Sequence, residues 1–87
     1  MKFEFDTKKN IFNKEKHGVC FSEAQKLWDD PEAVEFELDF EDERRFAVVG
    51  KFNNKHWTAI ITYRKENIRI ISVRRSRGKE ILKYESS

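Results

Sequence analysis

Hydrophobic and polar residues alternate over the first five positions, MKFEF, and this pattern predicts a short β-strand. Asp6 follows where an N-cap would accept hydrogen bonds from the first free amides of a helix that we expect to reach His17. Gly18 would end this helix, because glycine adopts the left-handed backbone conformation without a steric penalty. Ser22-Glu23-Ala24-Gln25 is typical of a capping box and predicts a second short helix.

Four β-rich runs follow the second helix: Ala33–Leu38, Arg45–Phe52, Lys55–Arg64 and Ile68–Arg74. The pair Asn53-Asn54 tolerates the positive φ angles of a tight hairpin turn, which would place Gly50 opposite Trp57. In the tail, Ile81, Leu82 and Tyr84 are expected on the docking face of a last helix.

The resulting element order is β-α-α-β-β-β-β-α. Strands that follow one another through short turns must be antiparallel, so this order predicts an α+β fold. We expect a single domain over residues 1–87, with a small antiparallel sheet, two N-terminal helices and a C-terminal helix. All helices should pack on one face of the meander.

Composition excludes several classes of protein. A chain of 87 residues is too short for a large enclosed cofactor pocket, so we expect no cofactor. Cys20 is the only cysteine, which excludes an intrachain disulfide, and the sequence has no cluster with zinc-ligand spacing. It also shows no signal peptide and no apolar membrane span. We therefore expect a cytoplasmic protein with no bound metal and no membrane contact.

Charge is divided unevenly along the chain. Residues 1–43 contain six Lys and no Arg against 13 Asp and Glu, whereas residues 44–87 contain 12 Lys and Arg against three Glu. Seven of these 12 cations are arginines, whose planar guanidinium groups bind phosphate through two hydrogen bonds. The basic half is therefore a candidate anion surface. Its charge could instead be solvated and merely neutralise the acidic half.

The arginines around the last predicted hairpin are the main cation candidates. Side chains alternate along a strand, so Arg64 and Arg69 should project from the same face of the sheet, and Arg75 should join them. Arg74 should point to the other face, and Arg77 follows the strand. These arginines could bind RNA phosphates, or they could simply rim the sheet.

Cleavage of RNA without a metal needs a base for the 2′-hydroxyl proton, cations for the developing phosphorane and an acid for the leaving oxygen. His17 is a candidate for proton transfer, although a histidine at a helix C-terminus also interacts favourably with the helix dipole. His56 follows a turn and is expected to face solvent. Tyr63 and Tyr84 could stack on a base or donate a proton, or could belong to the core.

Several motifs together resemble one protein family. Lys16-His17-Gly18-Val19, with Phe21 and Ala24 after it, resembles the KHGVsFeeA element of the BrnT toxins. Other matching segments are Asp6 and Asn13 upstream, Trp28-Asp29-Asp30-Pro31, the IRIISVRRSR run of residues 68–77, and Glu80 with Tyr84-Glu85. The resemblance covers nearly the whole chain and is weakest between Glu35 and Lys55.

This resemblance implies a fold similar to the RelE-type ribonucleases and RNA cleavage that arrests translation. It also implies a BrnA-type antitoxin with a ribbon-helix-helix part, which would carry the toxin to operator DNA. The catalytic residues that we predict are His17, Arg64, Arg74 and Tyr84. The predicted RNA-binding residues are Lys16, Arg69, Arg75 and Arg77.

Two other functions are compatible with the sequence. A nucleic-acid-binding protein without enzymatic activity would use the same basic surface for phosphate contacts. A protein-interaction adaptor would recruit its partner through the acidic helices or a sheet edge and would not depend on the arginines.

Overall fold

The computed structural model describes residues 2–39 and 42–86. Its β-strands are β1 (Lys2–Glu4), β2 (Val34–Leu38), β3 (Arg45–Phe52), β4 (Lys55–Arg64) and β5 (Asn67–Arg75). Its helices are α1 (Thr7–His17), α2 (Phe21–Ala24), a 3₁₀ helix (Gln25–Asp29) and α3 (Gly78–Glu85). The α+β class and the order of the elements predicted from the sequence are confirmed.

The caps of the N-terminal helices follow from local sequence. Asp6 accepts hydrogen bonds from the amides of Lys8 and Lys9 at 2.8 and 3.2 Å, and Gly18 ends α1 with a φ of 80°. The second cap differs from the prediction, because Cys20 and not Ser22 is the N-cap residue of α2. The Cys20 amide donates to the Glu23 carboxylate at 2.9 Å, so Glu23 occupies the third helical position.

The two tight hairpins fix the register of strands β3, β4 and β5. Asn53 and Asn54 have φ angles of 52° and 62°, and Gly50 lies opposite Trp57 as predicted. A Cβ atom on Gly50 would lie 2.9 Å from the Leu27 side chain, so the sheet and the 3₁₀ helix pack closely here. This close contact explains the glycine.

The sheet is mixed. Its strand order is β1-β5-β4-β3-β2, and strands β2 to β5 form the predicted antiparallel meander. Strand β1 pairs with β5 in parallel, which the local pattern of the sequence did not predict. Parallel pairing is possible because the helices α1 and α2 and three more strands separate β1 from β5 along the chain.

An irregularity in β5 changes which arginines share a face. Ile60 pairs with Ser72 and Ile61 pairs with Ile70, so Ile71 is an extra residue on β5. A bulge of this kind reverses the alternation of side chains beyond it. Arg64 and Arg69 therefore share a face with Arg74, and the prediction that Arg75 joins them while Arg74 points away is wrong.

Helices cover both faces of the sheet. Phe21, Ala24 and Leu27 pack with Val48, Ala59, Ile61 and Val73 in the hydrophobic core. Helix α3 contacts the opposite face, because Glu80 binds Thr58, whose side chain points away from those of Trp57 and Ala59. The expectation that all helices pack on one face is therefore wrong.

The described residues contain no helix that is long and apolar enough to cross a membrane.

Candidate nucleic-acid site

A cavity of about 230 Å³ lies where the end of α1 meets the turn between β3 and β4. Arg75 of β5 and Trp57 of β4 point into this region from one sheet face, since they are direct partners in the register. The residues that line the cavity are His17, Gly18, Val19, Glu23, Phe52, Asn53, Lys55, Trp57 and Arg75. The structure thus brings a histidine together with two cations.

The electrostatics of this cavity favour an anion. Lys55 and Arg75 are exposed, and no carboxylate forms an ion pair with either of them within residues 2–39 and 42–86. Glu23 is already bound, because its carboxylate accepts from Lys14 Nζ at 2.8 Å. The hydrogen bonds from Lys14 and from the Cys20 amide lower the pKa of Glu23 to about 2. Glu23 is therefore ionised at neutral pH and is a weak base.

Aromatic rings form one wall of the same cavity. Phe52 and Trp57 stack with ring centroids 5.4 Å apart, and the Arg75 guanidinium lies 5.6 Å from the centre of the Trp57 ring. The Trp57 indole Nε1 is buried and has no hydrogen-bond partner in the part of the chain that the structure describes. Bases of single-stranded nucleic acids stack on exposed aromatic rings, and in this pair Phe52 is partly exposed whereas Trp57 is buried.

A second basic surface lies on the sheet face that α3 partly covers. Arg64 is exposed at the end of β4, and Arg69 is half-buried opposite Thr62. In the strand register, Thr62 of β4 lies between Arg45 of β3 and Arg69 of β5. A cation therefore lies on each side of Thr62 on this face. We call the surface formed by Arg45, Arg64 and Arg69 the arginine face.

Arg74, which was predicted to be catalytic, is held in an ion pair with Glu80. Its guanidinium donates to both oxygens of Glu80, at 2.8 and 2.7 Å, and its side chain is only 20% exposed. Burial alone would raise the pKa of Glu80, but hydrogen bonds from Arg74, the Arg77 amide and Thr58 lower it to about 2. This ion pair ties α3 to β5.

Tyr84 and His56 also connect α3 to the rest of the protein. The Tyr84 hydroxyl donates to Asp30 at 2.8 Å, and burial together with this carboxylate raises its pKa to about 12. His56 Nε2 lies 2.8 Å from the Glu85 carboxylate, and its side chain is 20% exposed. The prediction that His56 faces solvent is therefore wrong, and Leu82, which was expected to dock, is 69% exposed.

The structure separates the residues that we predicted to be catalytic. Trp57, which lines the cavity with His17, lies seven residues from Arg64 along β4, which is about 23 Å at the usual rise of a strand. Arg74 and Tyr84 belong to the contacts of α3. Of the residues predicted to bind RNA, only Arg75 lines the cavity with His17.

Lys16 and Arg77, the remaining predicted RNA-binding residues, lie outside this cavity. Lys16 is exposed, with its Nζ 5.7 Å from the centre of the Phe12 ring. Arg77 is the N-cap residue of α3, and its backbone amide donates to Glu80 at 2.7 Å.

Sequence reasoning missed Lys55 and Trp57 as parts of the site. The predicted turn at Asn53-Asn54 places both residues at the start of β4, but nothing in the local sequence shows that α1 ends beside that turn. Among the described residues, no group of three or more His, Cys, Asp or Glu could hold a metal ion.

These features define a small α+β protein with a histidine, two cations and stacked rings in one surface cavity, and with further arginines on the opposite sheet face. Residues 5–80 match the family described as "Ribonuclease toxin, BrnT, of type II toxin-antitoxin system". The chain therefore belongs to the BrnT family, whose members are ribonuclease toxins with an antitoxin partner and an RNA substrate. No curated protein is similar enough to be counted as a match.

Proposed function

We propose that this chain is a metal-independent endoribonuclease whose catalytic centre is the His17 cavity. The observation that carries this proposal is the meeting of His17 with Lys55 and Arg75 in one open cavity. A histidine can transfer a proton, and two cations can stabilise the charge of a phosphorane, so the cavity supplies two of the three requirements of the reaction.

In the proposed reaction, His17 accepts the proton of the ribose 2′-hydroxyl. The 2′-oxygen then forms a bond to phosphorus while the bond from phosphorus to the 5′-oxygen breaks, water protonates the leaving oxygen, and the hydroxide that remains takes up the proton from His17. Lys55 and Arg75 stabilise the negative charge on the non-bridging oxygens. The products are a 2′,3′-cyclic phosphate and a 5′-hydroxyl end. Phe52 is the partly exposed ring of the aromatic pair and contacts a neighbouring base, whereas Trp57 is buried beneath it.

Arg64 and Arg69 have a different role in this proposal. They lie too far from His17 to touch the same phosphate, so they bind another part of the RNA backbone and contribute to affinity. Arg74 and Tyr84 act indirectly, because their hydrogen bonds to Glu80 and Asp30 fix α3.

The biological part of the proposal rests on membership of the family. We propose that RNA cleavage arrests translation in the cytoplasm, and that the fold is of the RelE type. We also propose that the antitoxin is of the BrnA type, with a ribbon-helix-helix part through which the complex contacts operator DNA.

Cleavage of a defined RNA by the purified chain tests the enzymatic proposal. We expect single-turnover cleavage at the same rate with and without EDTA, and 3′ ends that carry a cyclic phosphate. Loss of cleavage in EDTA that Mg²⁺ or Mn²⁺ restores would overturn the metal-independent mechanism. Binding of RNA without any cleavage, in protein whose fold is verified, would instead favour a non-catalytic nucleic-acid-binding protein.

Expression in growing cells tests the biological proposal. Without antitoxin, we expect incorporation of labelled amino acids to fall before growth stops. Normal translation at verified expression of folded protein would contradict it.

A further inference from the structure

A groove of about 600 Å³ lies between β2 and α3, and it shares no lining residue with the His17 cavity. Phe36 of β2 forms one side of the groove, and the other side is formed by residues of α3 and its N-cap. These are Arg77, Gly78, Lys79, Glu80 and Lys83.

The α3 side of this groove is positively charged. Arg77, Lys79 and Lys83 are exposed, and none of them forms an ion pair with another residue in the two described segments of the chain. The single carboxylate, that of Glu80, is neutralised by Arg74. Lys83 Nζ instead lies 4.8 Å from the centre of the Phe36 ring. Three cations therefore face the groove without a carboxylate partner.

The strand on the other side of the groove is an edge of the sheet. β2 pairs with β3 only, so one row of its backbone amides and carbonyls is not used by the sheet of the described residues. Because Phe36 faces the groove, Glu35 and Glu37 point to the opposite face. Glu35 accepts from the Tyr63 hydroxyl and Glu37 is bound by Arg44, so the unpaired charge beside this edge is that of the α3 cations.

We propose that an extended segment of the antitoxin adds a strand to β2 along this groove. Side chains of the added strand alternate, so carboxylates on one of its faces would meet Lys79 and Lys83. The free backbone groups of the edge supply the main-chain hydrogen bonds. RNA fits this edge less well, because its backbone does not carry the alternating N–H and C=O groups with which an added strand pairs.

This inference rests on the proposed function in one respect, because it requires an antitoxin partner. The groove is the place where that partner binds. Because the groove shares no lining residue with the His17 cavity, its lysines can be changed without touching the proposed catalytic centre. Binding of antitoxin and cleavage of RNA can therefore be measured separately on the same variants.

The test uses the toxin–antitoxin complex purified after coexpression and the free toxin. Hydrogen exchange at the amides of Val34–Leu38 should slow in the complex. The charge-reversal variant K79E/K83E should bind antitoxin at least tenfold more weakly and cleave RNA at the normal rate. The control K8E/K9E, which reverses two exposed lysines of α1, should bind antitoxin within twofold of the wild type.

Two results would overturn the proposal. The first is unchanged exchange at β2 in the complex, or unchanged antitoxin affinity of K79E/K83E. The second is protection of the β2 amides by an RNA oligonucleotide alone together with loss of RNA affinity in K79E/K83E, which would make the groove a nucleic-acid site. If the wild-type chain cleaves no RNA but the antitoxin results hold, the catalytic proposal fails and the docking site stands.

Discussion

The ion pair between Arg74 and Glu80 is expected to contribute strongly to the stability of the fold. Two charge-assisted hydrogen bonds join these side chains, which are 20% and 13% exposed. Removal of Arg74 would leave the Glu80 carboxylate largely buried with weaker partners. Hydrogen bonds to charged groups contribute about 1.5–3 kcal/mol, and loss of one partner of a fully buried pair costs about 3–5 kcal/mol. For this partly exposed pair we expect Arg74→Ala to cost about 2 kcal/mol.

Urea unfolding followed by circular dichroism measures this cost. In thermal unfolding, a loss of about 2 kcal/mol corresponds to a fall in Tm of roughly 8–16 °C for a domain of this size. A double-mutant cycle with Glu80→Ala should give a coupling of about 1.5–3 kcal/mol, because each single variant removes the same interaction. Arg74→Lys should recover only part of the stability, since lysine lacks the planar fork.

Arg44→Ala is the matched control for this experiment. Arg44 also binds a carboxylate through two hydrogen bonds, at 2.9 and 3.0 Å to Glu37, but 75% of its side chain is exposed. Its removal should leave the unfolding midpoint nearly unchanged, because exposed ion pairs contribute little. A coupling between Arg74 and Glu80 below about 0.5 kcal/mol would refute the reasoning from burial.

Three further predictions concern other parts of the molecule. Asn13→Ala should destabilise the protein by about 3 kcal/mol in urea unfolding, because the buried carboxamide binds two backbone carbonyls and one amide that would lose their partner; a loss below about 1 kcal/mol would contradict this. Glu80 has its pKa lowered from 4.5 to about 2, so its contribution is complete above about pH 5 and is lost as the pH falls towards 2. Glu80→Gln should therefore show a weaker loss of stability over that range than the wild type, and equal slopes would be inconsistent with the ion pair. Arg69→Ala should raise the KM for RNA and leave kcat unchanged. The slope of the logarithm of RNA affinity against the logarithm of salt concentration should become shallower by about 0.7. A fall in kcat alone would mean that Arg69 takes part in the chemical step.

Local sequence predicted most of the secondary structure, because each signal acts within a few residues. Asp6 and Gly18 bound α1, and the Asn53-Asn54 turn fixes the register of β3 and β4. The faces of the arginines could not be predicted in the same way. One extra residue, Ile71, reverses the alternation of β5, and no local residue preference in IRIISVRR reveals a bulge.

The composition of the candidate site depended on contacts between distant parts of the chain. His17 and Arg75 were both predicted to act on RNA, but Lys55 and Trp57 join them only because α1 ends beside the β3–β4 turn. His56 was assigned to solvent because it follows that turn, whereas the last helix returns and places Glu85 against it. Neighbouring positions in a hairpin can be read from the sequence, but the packing of helices on the sheet cannot.

Comparison of the two histidines tests the proposed catalytic centre most directly. In single-turnover cleavage of one RNA, His17→Ala should lower the rate by about 10²–10⁴, and Arg75→Ala by about 10²–10³, with partial recovery in Arg75→Lys. His56→Ala removes the other histidine, which binds α3, and its folded fraction should cleave at the normal rate. If His17→Ala cleaves as fast as the wild type, or if folded His56→Ala is inactive, the catalytic centre does not lie in the His17 cavity.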